Sequence, residues 1–210
     1  LAALGRSGAR TLLFSPAGRP SAAGRRYIVA GEATGVHQAY KCRVRSPWWR
    51  VPLPEVADLF VTYMNNEAVA LCANEARVHH LNSVHGLYLT EEAKGIGAPV
   101  LALAASSSVT ALSAELVGRS YGGGLLKLEP REAARLAVPA LALVRRHREE
   151  LAAFLPQARR LLAQAQHGQV REQVDAILGL ADVVGAQGLE ELRSAHHQLA
   201  TRRRSRAKGP

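Results

Sequence analysis

The apolar residues of this 210-residue chain change their spacing at Pro99. Between residues 40 and 89 they fall in short runs cut by Pro52, Pro54, the Asn65-Asn66 pair and Asn82, the pattern of brief strands separated by turns. Beyond Pro99 they lie along a mostly Ala/Ser/Leu segment, through Val100, Leu103, Val109, Leu112 and Leu116, and then, past Pro139, recur at helical spacing through Val144, Leu151, Leu155, Ala158 and Leu162. Val170, Val174 and Ile177 continue the stripe, as do Leu189, Leu192, His196 and Leu199. That spacing belongs to helices with one packed side. The expected class is therefore α+β: a small mixed or antiparallel sheet with helices, followed by a helical C-terminal segment.

At finer grain, residues 10–15 read as a short strand ended by Pro16, and Pro20 followed by residues 21–30 reads as a helix stopped by Gly31. Residues 40–45 alternate Tyr40, Cys42 and Val44 with Lys41, Arg43 and Arg45, the period of a half-buried strand with all three cations on one face. Further strands are expected at 48–51, 59–64, 69–73 and 83–89. One buried helix is expected over 99–117, ended by Gly118, with the serines 106–108 its weak point. A short strand, 125–128, follows three glycines, and Pro156 should kink or restart the first helix of the last third.

Composition narrows the class of function. With 48% hydrophobic residues the chain can bury a core, which excludes wholesale disorder. No run approaches the roughly 18–20 apolar residues of a spanning helix, so no membrane partner is expected. Two cysteines, Cys42 and Cys72, make neither a disulfide framework nor a zinc site, and Arg6 and Arg10 interrupt what would be the core of a secretory signal. A cytoplasmic location is the expectation. The chain begins with leucine and its only methionine is Met64, so it reads as a piece of something longer. Its net charge of +10 favours a polyanionic partner. Residues 1–50 carry nine cations against Glu32 alone, while Arg202, Arg203, Arg204, Arg206 and Lys208 read as a frayed basic tail.

Several chemistries lack their residues. There is no GxxxxGK[ST] loop, no GxSxG elbow, no HExxH and no GxGxxG between a strand and a helix. His79, His80 and His85 lie near Cys72 and Glu75 in sequence, but their spacing matches no familiar ligand set, so no metal is expected. Two segments remain. Lys41, Arg43, Arg45, Trp48, Trp49 and Arg50 can track phosphates while an indole stacks on a base, or can be solvated cations beside tryptophans divided between core and solvent. Arg119, Ser120, Tyr121, Gly122, Gly123 and Gly124, followed by Lys127, can lie against a nucleic acid with exposed amides, or can simply make a tight turn.

The blocks YKCRVRSPWWRVP (40–52), DLFVTYM (58–64), LNSVHGLYL (81–89), GRSYGGGLLKLEP (118–130) and LAVPA (136–140) resemble, in order, one family. They are similar to the C-terminal target-recognition region of bacterial restriction-modification DNA adenine methyltransferases of the Asn-Pro-Pro-Tyr class, which use S-adenosylmethionine. The resemblance covers about 10–140; the helical end resembles the tail that follows this region. It implies contacts to double-stranded DNA by the two segments above and by Asn82, Ser83 and His85. It implies no catalytic, cofactor or metal residues here, since the asparagines at 65, 66, 74 and 82 are not followed by proline. S-adenosylmethionine is expected in a catalytic half that is a separate subunit or a missing domain.

The expected organisation is thus a DNA target-recognition domain over 1–140, a helical segment over 141–205 and a disordered basic tail over 206–210. Its expected role is to position duplex DNA for methylation elsewhere. The rivals are a self-sufficient methyltransferase, disfavoured by the missing motifs, and a non-catalytic RNA- or nucleoid-binding protein, suggested by charge alone.

Overall fold

The computed structural model describes residues 6–8 and 13–206. The chain divides between Pro54 and Glu55 into two compact units. In the first, helix α1 (Ala22–Ala33) starts at Ser21, whose Oγ accepts from the Gly24 amide at 3.1 Å. It runs through Gly31 and ends at Thr34, whose hydroxyl donates back to the Ala30 and Gly31 carbonyls. Gly31 is not a stop. A Cβ there would come within 2.9 Å of the Trp48 ring, so the missing side chain lets the indole lie on the helix.

A 3-10 turn (Val36–Gln38) leads into α2 (Tyr40–Arg43), a single helical turn where alternation predicts a strand. The reason is the backbone. No neighbouring strand is present among the described residues of this unit, so its amides must bond locally, as Cys42 and Arg43 do to the Ala39 carbonyl. Residues 48–51 likewise form a turn rather than a strand, with the Arg50 amide bonded to Pro47. Of the strand expected at 10–15, residues 10–12 lie outside the described residues and 13–15 form none.

In the second unit the run 59–64 splits between two antiparallel sheets: β1 (Leu59–Thr62) and β2 (Met64–Asn65). The split follows from buried Asn65. Its Nδ2 donates to the Thr62 and Leu126 carbonyls, turning the chain from one sheet into the next. Strands β3 (Leu71–Ala73) and β4 (Val84–Leu87) flank β1, pairing Phe60 with Cys72 and with Gly86. Leu59 and Val61 point to the core. After α3 (Glu91–Lys94), capped by Thr90, the expected 99–117 helix is two: α4 (Ala98–Ala104) and α5 (Ser108–Val117), bent by 74°.

The serines make that break. Ser107 caps α5, and buried Asp175 accepts from the Ser108 amide at 2.8 Å and its hydroxyl at 2.6 Å, holding a carboxylate at the positive helix end. Strands β5 (Arg119–Tyr121) and β6 (Leu125–Lys127), joined by a 3-10 turn (Gly122–Gly124), form a hairpin that pairs through β6 with β2. Then come α6 (Pro130–Ala133), α7 (Leu141–Arg146), α8 (Arg148–Ala163), α9 (His167–Ile177), α10 (Leu180–Val184) and α11 (Ala186–Ser205).

These helices share one core with α4, through Val100, Leu103, Val144, Leu151, Phe154, Val170 and Val174. The restart expected at Pro156 falls instead at His147, between α7 and α8. Pro156 sits on the exposed side of α8, where the carbonyl it leaves unbonded can meet water. The basic tail is also different from expectation: Arg202, Arg203 and Arg204 are the last turn of α11, and Arg203 is only 5% exposed. Residues 207–210, Lys208 among them, lie outside the described residues. No single described helix is long and apolar enough to cross a membrane.

Candidate nucleic-acid interface

The predicted residues fall in both units, six in the first and ten in the second. In the first unit the two tryptophans do not divide between core and solvent; both are half-buried in one turn. Trp48 lies against Gly31 and His37 and donates from Nε1 to Glu32 at 2.9 Å. Trp49 meets Phe14 edge-on at 5.8 Å, and Phe14 stacks obliquely on Tyr27. The indoles and Tyr27 line a cavity of about 420 Å³ with Arg45 at its edge.

Lys41, Arg43 and Arg50 are exposed, Lys41 over the Tyr40 ring and Arg50 over Trp49. Because α2 is helical, the three cations at 41, 43 and 45 do not share a strand face. What survives is electrostatic. Glu32 is the sole acid of residues 1–54, it is engaged by Trp48, and no ion pair forms among the described residues of this unit. Within this unit one carboxylate stands against all of these cations, so their field is largely uncompensated from within.

In the second unit the hairpin presents Arg119, Ser120, Tyr121, Gly122 and Gly123 to solvent, while Gly124 is buried. The glycines are required where they stand: Gly123 and Gly124 have φ of 73° and 72°, which a side chain would strain. The hairpin's own cations are paired. Arg119 donates to Glu132, and Lys127 meets Glu129 at 2.7 Å while lying 5.2 Å from the centres of both the Tyr63 and Tyr121 rings. Hydrogen bonding to Glu129, and then to Tyr63, holds the Lys127 ammonium above the usual lysine range; Lys127 and Tyr63 in turn hold Glu129 below the usual carboxylate range. Lys127 thus fixes two tyrosines and is not a loose cation.

His85 joins this group from β4. Its Nε2 meets the Leu128 carbonyl at 2.7 Å and its ring packs edge-on against Tyr63. Asn82 and Ser83 are exposed in the turn before β4. Among the described residues no three His, Cys, Asp or Glu side chains gather as a metal would need. Glu75 pairs with Arg159, and His80 packs on Phe60.

The strongest polar contact behind the hairpin was invisible in the sequence. Arg203 donates from Nε and Nη2 to Glu115 at 3.0 and 2.8 Å and from Nη1 to the Gly124 and Asn66 carbonyls, with both side chains of the ion pair 4% exposed. Residues 88 positions apart carry no local signal of such a contact. Glu129 and Glu132, by contrast, lie two and five positions after Lys127, at the N-cap and in the first turn of α6, close enough in sequence to Arg119 and Lys127 to have flagged the pairing.

Residues 1–178 match the family model described as "Type II methyltransferase M.Eco57I, C-terminal domain". Over 110 residues the chain is 36% identical to the type II methyltransferase M.XamI of Xanthomonas campestris pv. amaranthicola, covering 51% of this chain and 20% of that protein. Over 107 residues it is 25% identical to the type II methyltransferase M.AccI of Acinetobacter calcoaceticus, covering 50% and 20%. The chain thus matches about a fifth of the length of these relatives. No solved structure matches it.

Proposed function

From the chain's membership of the family of C-terminal domains of the type II methyltransferase M.Eco57I, we propose that it binds double-stranded DNA as the target-recognition part of a site-specific adenine methyltransferase. The observation that carries this reading is the largely uncompensated charge of the first unit, nine cations in residues 1–50 against one engaged glutamate. Such a surface neutralises phosphates and releases their counterions. Half-buried indoles beside exposed cations, and a glycine hairpin whose amides can approach a backbone closely, add the means to meet bases and sugars. A target base must leave the stack to be methylated, and a recognition part can hold the opened duplex.

The residues here do not fit the transfer chemistry. Buried Asn65 and Asn74 are bound to backbone carbonyls, Asn74 to those of Ala57 and Val78, and neither precedes a proline. The cavity of the first unit has Arg45 as its charged lining residue, a poor companion for a sulfonium. S-adenosylmethionine and methyl transfer are accordingly assigned to a catalytic part outside these 210 residues.

Fluorescence anisotropy on a labelled duplex over a salt series tests the reading. Affinity should fall steeply as salt rises, with a log–log slope of about −0.9 per phosphate contacted. Absence of duplex binding at low salt refutes it, and equal affinity for duplex DNA, RNA and single strands favours the general nucleic-acid binder instead.

A further inference from the structure

A groove lies beside the hairpin. It holds about 230 Å³, several times the roughly 30 Å³ share of one liquid water. The C-terminal end of α11 forms one side, through Arg202, Arg203 and Arg206; the edge strand β5 and its approach form the other, through Gly118 and Ser120. We propose that this groove binds a phosphate of the DNA backbone through Arg202 and Arg206, making the last helix part of the DNA-binding surface. The inference rests on the duplex-DNA reading above and deepens it.

Charge and geometry carry the proposal. Glu115, the acid of the groove, is neutralised by Arg203, each of whose three guanidinium nitrogens is bonded to Glu115, Asn66 or Gly124. Arg203 therefore supplies a rigid, neutral floor. Arg202, in the last turn of α11, and Arg206, its C-cap, stand four positions apart, both exposed, and neither is in an ion pair among the described residues. Two guanidiniums that line one groove with a neutral floor, and that are in no ion pair among the described residues, suit an anion with several acceptor oxygens, which each can meet in forked fashion. The Ser120 hydroxyl, on the exposed edge strand, adds a neutral donor.

A competing explanation is that cations at a helix C-terminus merely offset its partial negative charge. That role explains charge near the helix end but not why Arg202 and Arg206, rather than Arg204, line the groove with Ser120 opposite. A phosphate held here would bring the duplex beside Tyr121 and the glycine tip, so the helix would set position while the hairpin meets bases.

The test is the salt series on the full chain with Arg202→Ala/Arg206→Ala, alongside Arg146→Ala/Arg160→Ala, which removes the same charge from exposed positions outside the groove. The groove variant should lower the salt slope by about 1–2 and weaken low-salt binding at least tenfold, with an unchanged thermal midpoint, while the control moves the slope by less than half as much. Arg202→Gln/Arg206→Gln gives the same reading if the alanine pair folds poorly. Wild-type binding with an unaltered slope in the groove variants, or an equal change in the control, overturns the site alone. Failure of the wild type to bind duplex overturns the DNA reading, and this site with it.

Discussion

Arg203→Met asks how much the glycine hairpin depends on its distant support. The substitution keeps much of the side chain's bulk but removes every donor, leaving the Glu115 carboxylate 4% exposed without its partner and the Gly124 and Asn66 carbonyls without their charged donor. Breaking one side of a buried pair costs about 3–5 kcal/mol, most of it the stranded charge. A folded body of this size loses about 2–4 °C of thermal midpoint per kcal/mol, so the expected drop is about 6–20 °C. Circular-dichroism melting at neutral pH measures it, and amide exchange over residues 119–127 should accelerate in parallel. Arg203→Met with Glu115→Leu is the control: it removes both charges and should recover most of the loss, because an apolar pair strands no charge. A single-variant shift below about 2 °C, or a double variant no better than the single one, would refute the reasoning.

Asp175→Ala should destabilise by about 3 kcal/mol in urea unfolding, since it deprives the buried Ser108 amide and hydroxyl of their acceptor and Arg193 of its 2.9 Å partner; Ser108→Ala, which retains the amide bond, should cost less. Burial, and then the neighbouring Arg171 guanidinium, which donates to Nδ1 at 3.4 Å, push His196 down to about 4, with Glu115 opposing and Arg203 and Arg204 adding to the effect. A depressed histidine binds its proton more readily unfolded than folded, so its contribution is complete above about pH 6.5 and is lost as pH falls toward 4. His196→Gln should flatten that part of a pH–stability curve measured by urea midpoint, and an unchanged slope would contradict the assignment.

Elements governed by local signals were readable. Three of the four runs expected as strands between 48 and 89 contain strands, and the serines that weakened the 99–117 helix are where it bends, because their hydroxyls and amides compete with the helix ladder. The last third is helical as its spacing requires. Where sequence failed, the deciding partner was remote or missing. Residues 40–45 have strand alternation but, among the described residues of their unit, no strand to pair with, and 40–43 close into a helical turn. Gly31 looked like a terminator because its use, clearance for Trp48, depends on a residue 17 positions away. The candidate interface was legible in composition and less so in role: Lys127 and Arg119 are cations by sequence but are paired in the fold, whereas Arg203, which seemed to belong to a loose tail, is buried. Charge counts cannot distinguish a free cation from a partnered one.

The support behind the glycine hairpin is indifferent to the hairpin's own side chains. Arg203 grips it only through the Gly124 main-chain oxygen, and its other bonds go to Glu115 and to a second main-chain oxygen at Asn66. Ser120 and Tyr121 could be exchanged for other residues without touching any of those bonds. Anchorage and surface chemistry are thereby uncoupled, as in a tool holder that accepts different bits: the chain can present a new set of contacts at the tip and keep the same fixed mount beneath it.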